Sequence, residues 1–343
     1  MGIKTDQIVK YEKNGNMSKK LTIVMYHYVR DLRNSRYPEI KGLQTEMFVE
    51  QLHFLKKHYN FVKMEDVIDA FHSNHVDELP AHPVLLTFDD AYQDHFQTVF
   101  PILMQEHVQG CFYAPVKALT QHEVLDVNKI HFILASTSEK KFPVLLNEIK
   151  ILLEKNQEKW NLHSFDDYYA KLAEANRFDN KDIIFVKRLL QVALPEKLRK
   201  EMTSELFQRI IGIDENAFSR ELYMSEAQIR CMVQCGMHVG SHGYDHYWLN
   251  SLSREKQESE ICKSMDFLKS LGVNMNYWTM CYPYGAYNDD TLQILKAYNC
   301  KMGLTTKVAL AELTERDMIY SMPRLDTNDL PKDANANVNN WYV

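Results

Sequence analysis

Three short stretches of this chain carry residue types that can do chemistry together. Thr87-Phe88-Asp89-Asp90 closes an apolar run, PVLLTF, at 83–88. Two adjacent carboxylates at the end of a buried strand are costly unless they bind a cation or share proton work. The bland alternative is a solvated turn, since aspartate is common where strands end. Ser241-His242-Gly243-Tyr244-Asp245-His246 follows a second apolar run, at 237–241. Histidines four residues apart lie on one side of a helical turn and can both reach one ion. Two imidazoles and one carboxylate leave positions open for water, the pattern of catalytic rather than structural zinc. A chance pair at this spacing is not rare among 14 histidines; its placement after a strand, in a second loop, gives it weight. Cys281-Tyr282-Pro283-Tyr284-Gly285 follows a third run. Proline and glycine around Tyr284 fix a tight loop that can aim backbone N–H groups at a developing oxyanion, although PYG alone is turn chemistry.

These loops need a scaffold that brings strand ends together. The hydrophobic pattern predicts strands at 21–26, 83–88, 110–115, 237–241, 278–282 and 301–305. Between them it predicts helices at 45–59, 64–71, 91–106 (with Pro101 inside), 225–235, 253–271 and 289–298. Alternating strands and helices define an α/β protein with a parallel sheet or barrel, whose active site forms at the strand C-termini. Periodicity does not show whether such a sheet closes. Residues 119–222 break the alternation, with helical patterns at 144–156, 165–175, 182–194, 195–212 and 214–223. They read as a helical insertion in a strand-to-helix loop, expected to pack on the barrel and roof its site. The expected organisation is a barrel over 20–118 and 223–330, the insertion, and a C-terminal tail at 331–343. Residues 1–19 are expected to be a disordered or tag-like stretch ahead of the fold.

Composition narrows the function classes. Of 343 residues, 45% are hydrophobic and 25% charged, which is ordinary for a globular protein and excludes a disordered chain or a disulfide-dense scaffold. A net charge of −6 and a pI near 6.2 offer no basic field, so no nucleic-acid partner is expected. No apolar run approaches the ~20 residues of a membrane span. The first twenty residues lack the apolar stretch of a secretory signal, and Asp6 argues against a myristoylation start at Gly2. The expected location is therefore cytoplasmic, where the six cysteines read as thiols. Cys231 and Cys235 share a helix face near His238, but no second ligand pair has structural-zinc spacing, so packing is the preferred reading.

Taken together, TFDD, GSHGYDH and CYPYG resemble, in order and spacing, the motifs of the polysaccharide deacetylases, the NodB-homology or carbohydrate esterase family 4 group. The resemblance runs over 21–118 and 223–330 and implies a distorted (β/α)7 barrel. It also implies metal-dependent removal of an N-acyl group, acetyl or formyl, from an amino sugar or glycan precursor. Carried over by position, Asp89 is the general base, and Asp90, His242 and His246 hold a divalent metal. Zn²⁺ is expected, with Co²⁺, Ni²⁺ or Mn²⁺ as alternatives. The Tyr284 backbone N–H is the expected oxyanion donor.

The chain departs from the family pattern in three places. Gly243 stands where serine or threonine is usual. No histidine follows His246 to serve as the late general acid; some relatives carry that histidine in a permuted position, which here is His27 in Met25-Tyr26-His27-Tyr28. Cys281 stands where an arginine usually pairs with the base, and Arg324 is the natural stand-in. Asp326 is expected either to orient His27 or to bind sugar hydroxyls. Tyr92, Tyr244 and Trp248 flank the motifs and can stack on a sugar ring, or simply pack. His95, His107, His122 and His131 read as structural or surface residues. The competing readings are a non-catalytic glycan-binding scaffold on a decayed barrel, which the missing motif residues favour, and an allantoinase-like amidohydrolase without the metal triad.

Overall fold

A computed structural model describes residues 19–176, 179–314 and 316–343. The expectation for the N-terminal stretch thus falls almost wholly outside the described residues. Six strands lie side by side and parallel: β1 (Lys20–Tyr26), β2 (Pro83–Asp89), β3 (Gly110–Ala114), β4 (His238–Ser241), β5 (Thr279–Cys281) and β6 (Met302–Leu304). A seventh, β7 (Leu325–Asp326), pairs parallel with the far side of β1 through Val24↔Leu325 and Met25↔Asp326.

The seam between β6 and β7 is crossed by a single parallel bridge, Leu304↔Met322. There the Met322 N–H donates to Gly303 O at 2.8 Å, and the Thr305 N–H donates to Met322 O at 2.9 Å. The sheet thus curls into a seven-stranded barrel whose closing strand is the segment that carries Arg324. That closure is the feature periodicity could not show, because two residues of strand and one bridge leave no pattern.

Alternation along the strands sorts side chains between two layers. Leu85 packs with Ile23, Cys111, Tyr113 and Cys281, whereas Leu86 and Phe88 pack with Val24, Tyr26, Phe112 and the helical residues Phe48 and Phe54. Thr87 and Asp89 share the parity of Leu85, so the strand that buries Phe88 against the helices turns Asp89 inward. The register Thr87↔Cys111 and Asp89↔Tyr113 keeps neighbouring strand ends level, so their loops gather at one rim.

Residues 119–222 are helical, with no strand among the described ones. The longest helices are α2 (Phe142–Trp160) and α3 (Glu196–Ile210). A preceding helix, α1 (Asp126–Ser136), is absent from the sequence-based expectation and packs against α3. The expected continuous helix over 91–106 is also modified. Residues His95–Val99 form a π-turn ahead of the α-helical Phe100–Glu106, because Pro101 has no N–H to give to Gln97. The C-terminal residues pack back on the barrel: Tyr342 stacks on His82 with ring centroids 4.2 Å apart.

Candidate active site

Asp89 ends β2, and Asp90 and Ala91 follow with φ of 73° and 53°. Two successive non-glycine residues in the left-handed region are unfavourable and persist only where the surroundings enforce them. Here the turn lets neighbouring carboxylates serve two different centres at the same rim.

The first centre is built on Asp90, His242 and His246, all buried. His242 leaves the end of β4. Its Nδ1 lies 2.8 Å from Cys281 O; a carbonyl only accepts, so Nδ1 carries the proton and Nε2 keeps its lone pair. Gly243 turns the loop at a φ of 77°. Glu260, on a helix behind (Arg254–Ser270), accepts from the Asp245 N–H at 2.7 Å and the Tyr244 N–H at 3.2 Å, which fixes the loop that carries His246. Burial, and then the charge of Asp245, push the Glu260 carboxyl up to about 7.

The three donor atoms then converge. His242 Nε2 and His246 Nε2 stand 3.2 Å apart, and Asp90 Oδ1 lies 3.4 Å from each. Asp90 Oδ1 is buried and has no hydrogen-bond partner. A tetrahedral ion held at about 2.0–2.1 Å by nitrogen and oxygen separates its ligands by about 3.3–3.4 Å. An orphaned carboxylate oxygen and two facing imidazole nitrogens at that spacing fit a divalent cation. Burial would raise the Asp90 carboxyl, but the neighbouring His242 and His246 hold it well below its ordinary value.

The second centre is built on Asp89. The Arg324 guanidinium, fully buried, donates from Nη1 to Asp89 Oδ1 at 2.9 Å and from Nη2 to Oδ2 at 2.7 Å. Its remaining donors reach Thr305 O at 2.8 Å and Thr87 Oγ1 at 3.0 Å. Burial would raise the Asp89 carboxyl, but the charge and paired hydrogen bonds of Arg324 hold it well below the carboxylate range. Cys281 occupies the space beside them, its Sγ 3.1 Å from Arg324 Nη2. Asp89, His242 and Cys281 also lie close enough to suggest a ligand set. Both Asp89 oxygens, however, already accept from a guanidinium, whose charge opposes a second cation there.

His27 follows β1 and brings Nε2 to 3.9 Å from Asp89 Oδ2. Its backbone carbonyl accepts from His95 Nε2 at 2.8 Å. His95 is buried in the π-turn, where burial pushes it down to about 4 and keeps it neutral. His27 opens onto a cavity of about 440 Å³ shared with Asp326, Tyr28, Lys41 and His131. Asp326 lines this cavity while capping the turn after β7, accepting from the Asn328 N–H at 2.8 Å.

On the other side of the Asp90–His242–His246 cluster, Tyr284 adopts a φ of 58° inside Pro283–Gly285. A side chain at Gly285 would place its Cβ 2.3 Å from Thr306 Oγ1, so glycine is required at that position. The Tyr284 ring lies 4.8 Å from His246 and stacks on Trp248 at 4.4 Å. Trp248 and Tyr284 line a cleft whose other wall is insertion residues, among them Leu190 and Arg199.

Two expected sugar-facing residues are corrected. Tyr92 is completely buried, and its hydroxyl donates to Asp90 Oδ2 at 2.5 Å, so it supports Asp90 and meets no sugar. Tyr244 lines neither cavity: Lys263 lies 4.8 Å over its ring and Gln121 donates to its hydroxyl. Cys231 and Cys235 join no ligand cluster among the described residues, and His238 is engaged by Glu65 and Thr279. Glu260, His95 and Asn128 are site-supporting residues that the motifs do not contain.

The curled parallel sheet thus carries two centres at one rim of a (β/α) barrel, Asp90 with the two imidazoles and Asp89 with Arg324. The polysaccharide deacetylase family model matches residues 207–303, which hold both histidines and the PYG turn. YxkH of Bacillus subtilis (strain 168), named after the polysaccharide deacetylases, is 28% identical over 173 residues, 50% of this chain and 53% of that protein. The chain thus spans about half the length of this curated relative. Among solved structures, the Streptococcus pyogenes deacetylase PplD in complex with acetate superposes with a TM-score of 0.53 at 20% identity, over 90% of this chain and 92% of that one. The de-N-acetylase from Aggregatibacter actinomycetemcomitans gives 0.52 at 15% identity, over 93% and 97%. IcaB from Ammonifex degensii gives 0.51 at 18%, over 90% and 91%. Over residues 207–303 the chain matches the polysaccharide deacetylase family model, and its fold is similar to that of these solved structures.

Proposed function

We propose that this chain is a metal-dependent hydrolase that removes an N-acyl group, acetyl or formyl, from an amino sugar of a glycan or glycan precursor. The observation that carries the reading is the partnerless Asp90 Oδ1, 3.4 Å from two imidazole nitrogens that face each other. The names of the relatives, deacetylases and de-N-acetylases, support the acyl chemistry. Asp90, His242 and His246 would hold the cation, most simply Zn²⁺, and when bound it polarises the acyl carbonyl and acidifies water.

The chain's own groups do the rest. Asp89, kept ionised by Arg324, accepts the proton of the attacking water. The Tyr284 N–H donates to the oxyanion as the tetrahedral carbon forms. The carbon–nitrogen bond then breaks, and His27 delivers a proton to the departing sugar amine, leaving a carboxylate and a free amino group. The bidentate Arg324–Asp89 pair favours this reading over a decayed, non-catalytic barrel, because it restores from a different strand what Cys281 removed from the usual position.

The test is acetate release from N-acetylglucosamine oligomers by protein stripped with a chelator and reloaded with zinc. Zinc is expected to restore turnover, and His27→Ala to lower it by about 10²–10⁴ with zinc affinity unchanged. Equal turnover by the stripped protein, or a His27→Ala rate within a few-fold of the wild type, contradicts the reading.

A further inference from the structure

The helical insertion reaches the metal site through one buried hydrogen-bonded chain. Asn128, on α1, is completely buried. Its direction can be read from the acceptor end. Asp90 is an ionised carboxylate and only accepts, so the Tyr92 hydroxyl must donate to Asp90 Oδ2, at 2.5 Å. The Tyr92 oxygen then needs a donor, and Asn128 Nδ2 supplies it at 2.7 Å. Asn128 Nδ2 also donates to the Tyr28 hydroxyl at 3.1 Å. Asn128 Oδ1 accepts from the Tyr223 hydroxyl at 2.6 Å, and that hydroxyl accepts from the Leu125 N–H at 3.0 Å. All donors thus point one way, from the insertion backbone to the carboxylate, and each bond polarises the next. Tyr28 and Tyr92, stacked with centroids 4.1 Å apart, fix the ring that carries the central hydroxyl.

We propose that Asn128 is a positioning residue for the cation: by aiming the Tyr92 hydroxyl at Asp90 Oδ2, the insertion leaves Oδ1 as the single carboxylate ligand facing His242 and His246. The insertion is then part of the metal site and not only a roof over the substrate. Partners that orient a metal ligand typically contribute 10–100-fold to metal affinity, and this one comes from outside the residues that the family model matches. The inference rests on the metal reading above.

The test is the zinc dissociation constant of the full chain, measured by competition with a chromophoric chelator, together with the melting of the metal-free protein. Asn128→Leu and Tyr92→Phe are each expected to weaken zinc binding by about 10–100-fold. The double variant is expected to be no weaker than Tyr92→Phe alone, since Asn128 acts only through that hydroxyl. Leu152→Ala, in the insertion core away from the chain of hydroxyls, should lower the melting temperature and leave zinc affinity intact. If Asn128→Leu does not fold, Tyr223→Phe takes its place in the cycle. Affinities within threefold of wild type, or additive losses in the double variant, overturn the proposal and leave the metal reading standing. A wild-type chain that binds no zinc overturns both.

Discussion

Asp89→Asn is expected to lower turnover by about 10²–10⁴ while zinc affinity stays within a few-fold of wild type. The two halves of this result come from one geometric fact: both Asp89 oxygens are taken by Arg324, whereas the carboxylate oxygen that meets the pair of Nε2 atoms is Asp90 Oδ1. An asparagine keeps the shape of the side chain but cannot accept a proton from water. The same variant separates the two possible ligand sets. Were the cation held by Asp89, His242 and Cys281, zinc binding would fall together with turnover. Paired measurements of acetate release and zinc titration on one preparation check both halves.

Arg324→Met is expected to destabilise the protein by about 3–5 kcal/mol, because it leaves the buried Asp89 charge without a partner. The pH dependence follows from the directions already described. In the wild type the Asp89 carboxyl is held below its ordinary value. Its contribution to stability is therefore present at neutral pH and is lost only as pH falls through that depressed value. Without Arg324, burial dominates and the carboxyl rises above its ordinary value. The sign then reverses: the variant gains relative stability on acidification, and its deficit grows as pH rises through the carboxylate range. The proposed reaction needs Asp89 ionised, so the acid limb of kcat/KM is expected to move to higher pH in Arg324→Met. Arg324→Lys should fall between the two, since an ammonium restores charge but not the paired fork. Denaturant unfolding across pH, and a pH–rate profile of the folded fraction, measure these effects. An unchanged acid limb contradicts the role given to Arg324.

The legible parts of this fold are those in which the signal is local. Strands such as Pro83–Asp89 are continuous apolar runs, and the loops after them carry chemistry within a few residues of the strand end. That is why Asp89, Asp90, His242, His246 and Tyr284 could be named from the sequence. Arg324 could be named only as a stand-in, because its partner lies 235 residues away and the strand that follows it is two residues long. Tyr92 was misread for a related reason. Its position beside TFDD allows a sugar face or packing, and a helix from the insertion covers it and holds its hydroxyl against Asp90. That helix, Asp126–Ser136, was itself missed, since its apolar and polar residues are too mixed to mark one face before the partners are known. Glu260 and His95 act on backbone groups of other loops, and long-range bonds of that kind leave no spacing to read.

The most direct test of the account is a crystal structure of zinc-soaked protein with anomalous data collected on both sides of the zinc edge. The expected result is one strong peak about 2.0–2.1 Å from Asp90 Oδ1, His242 Nε2 and His246 Nε2, with Asp89 bonded to Arg324 and free of the ion. A peak elsewhere, or three side chains that stay unliganded at saturating zinc, would contradict it.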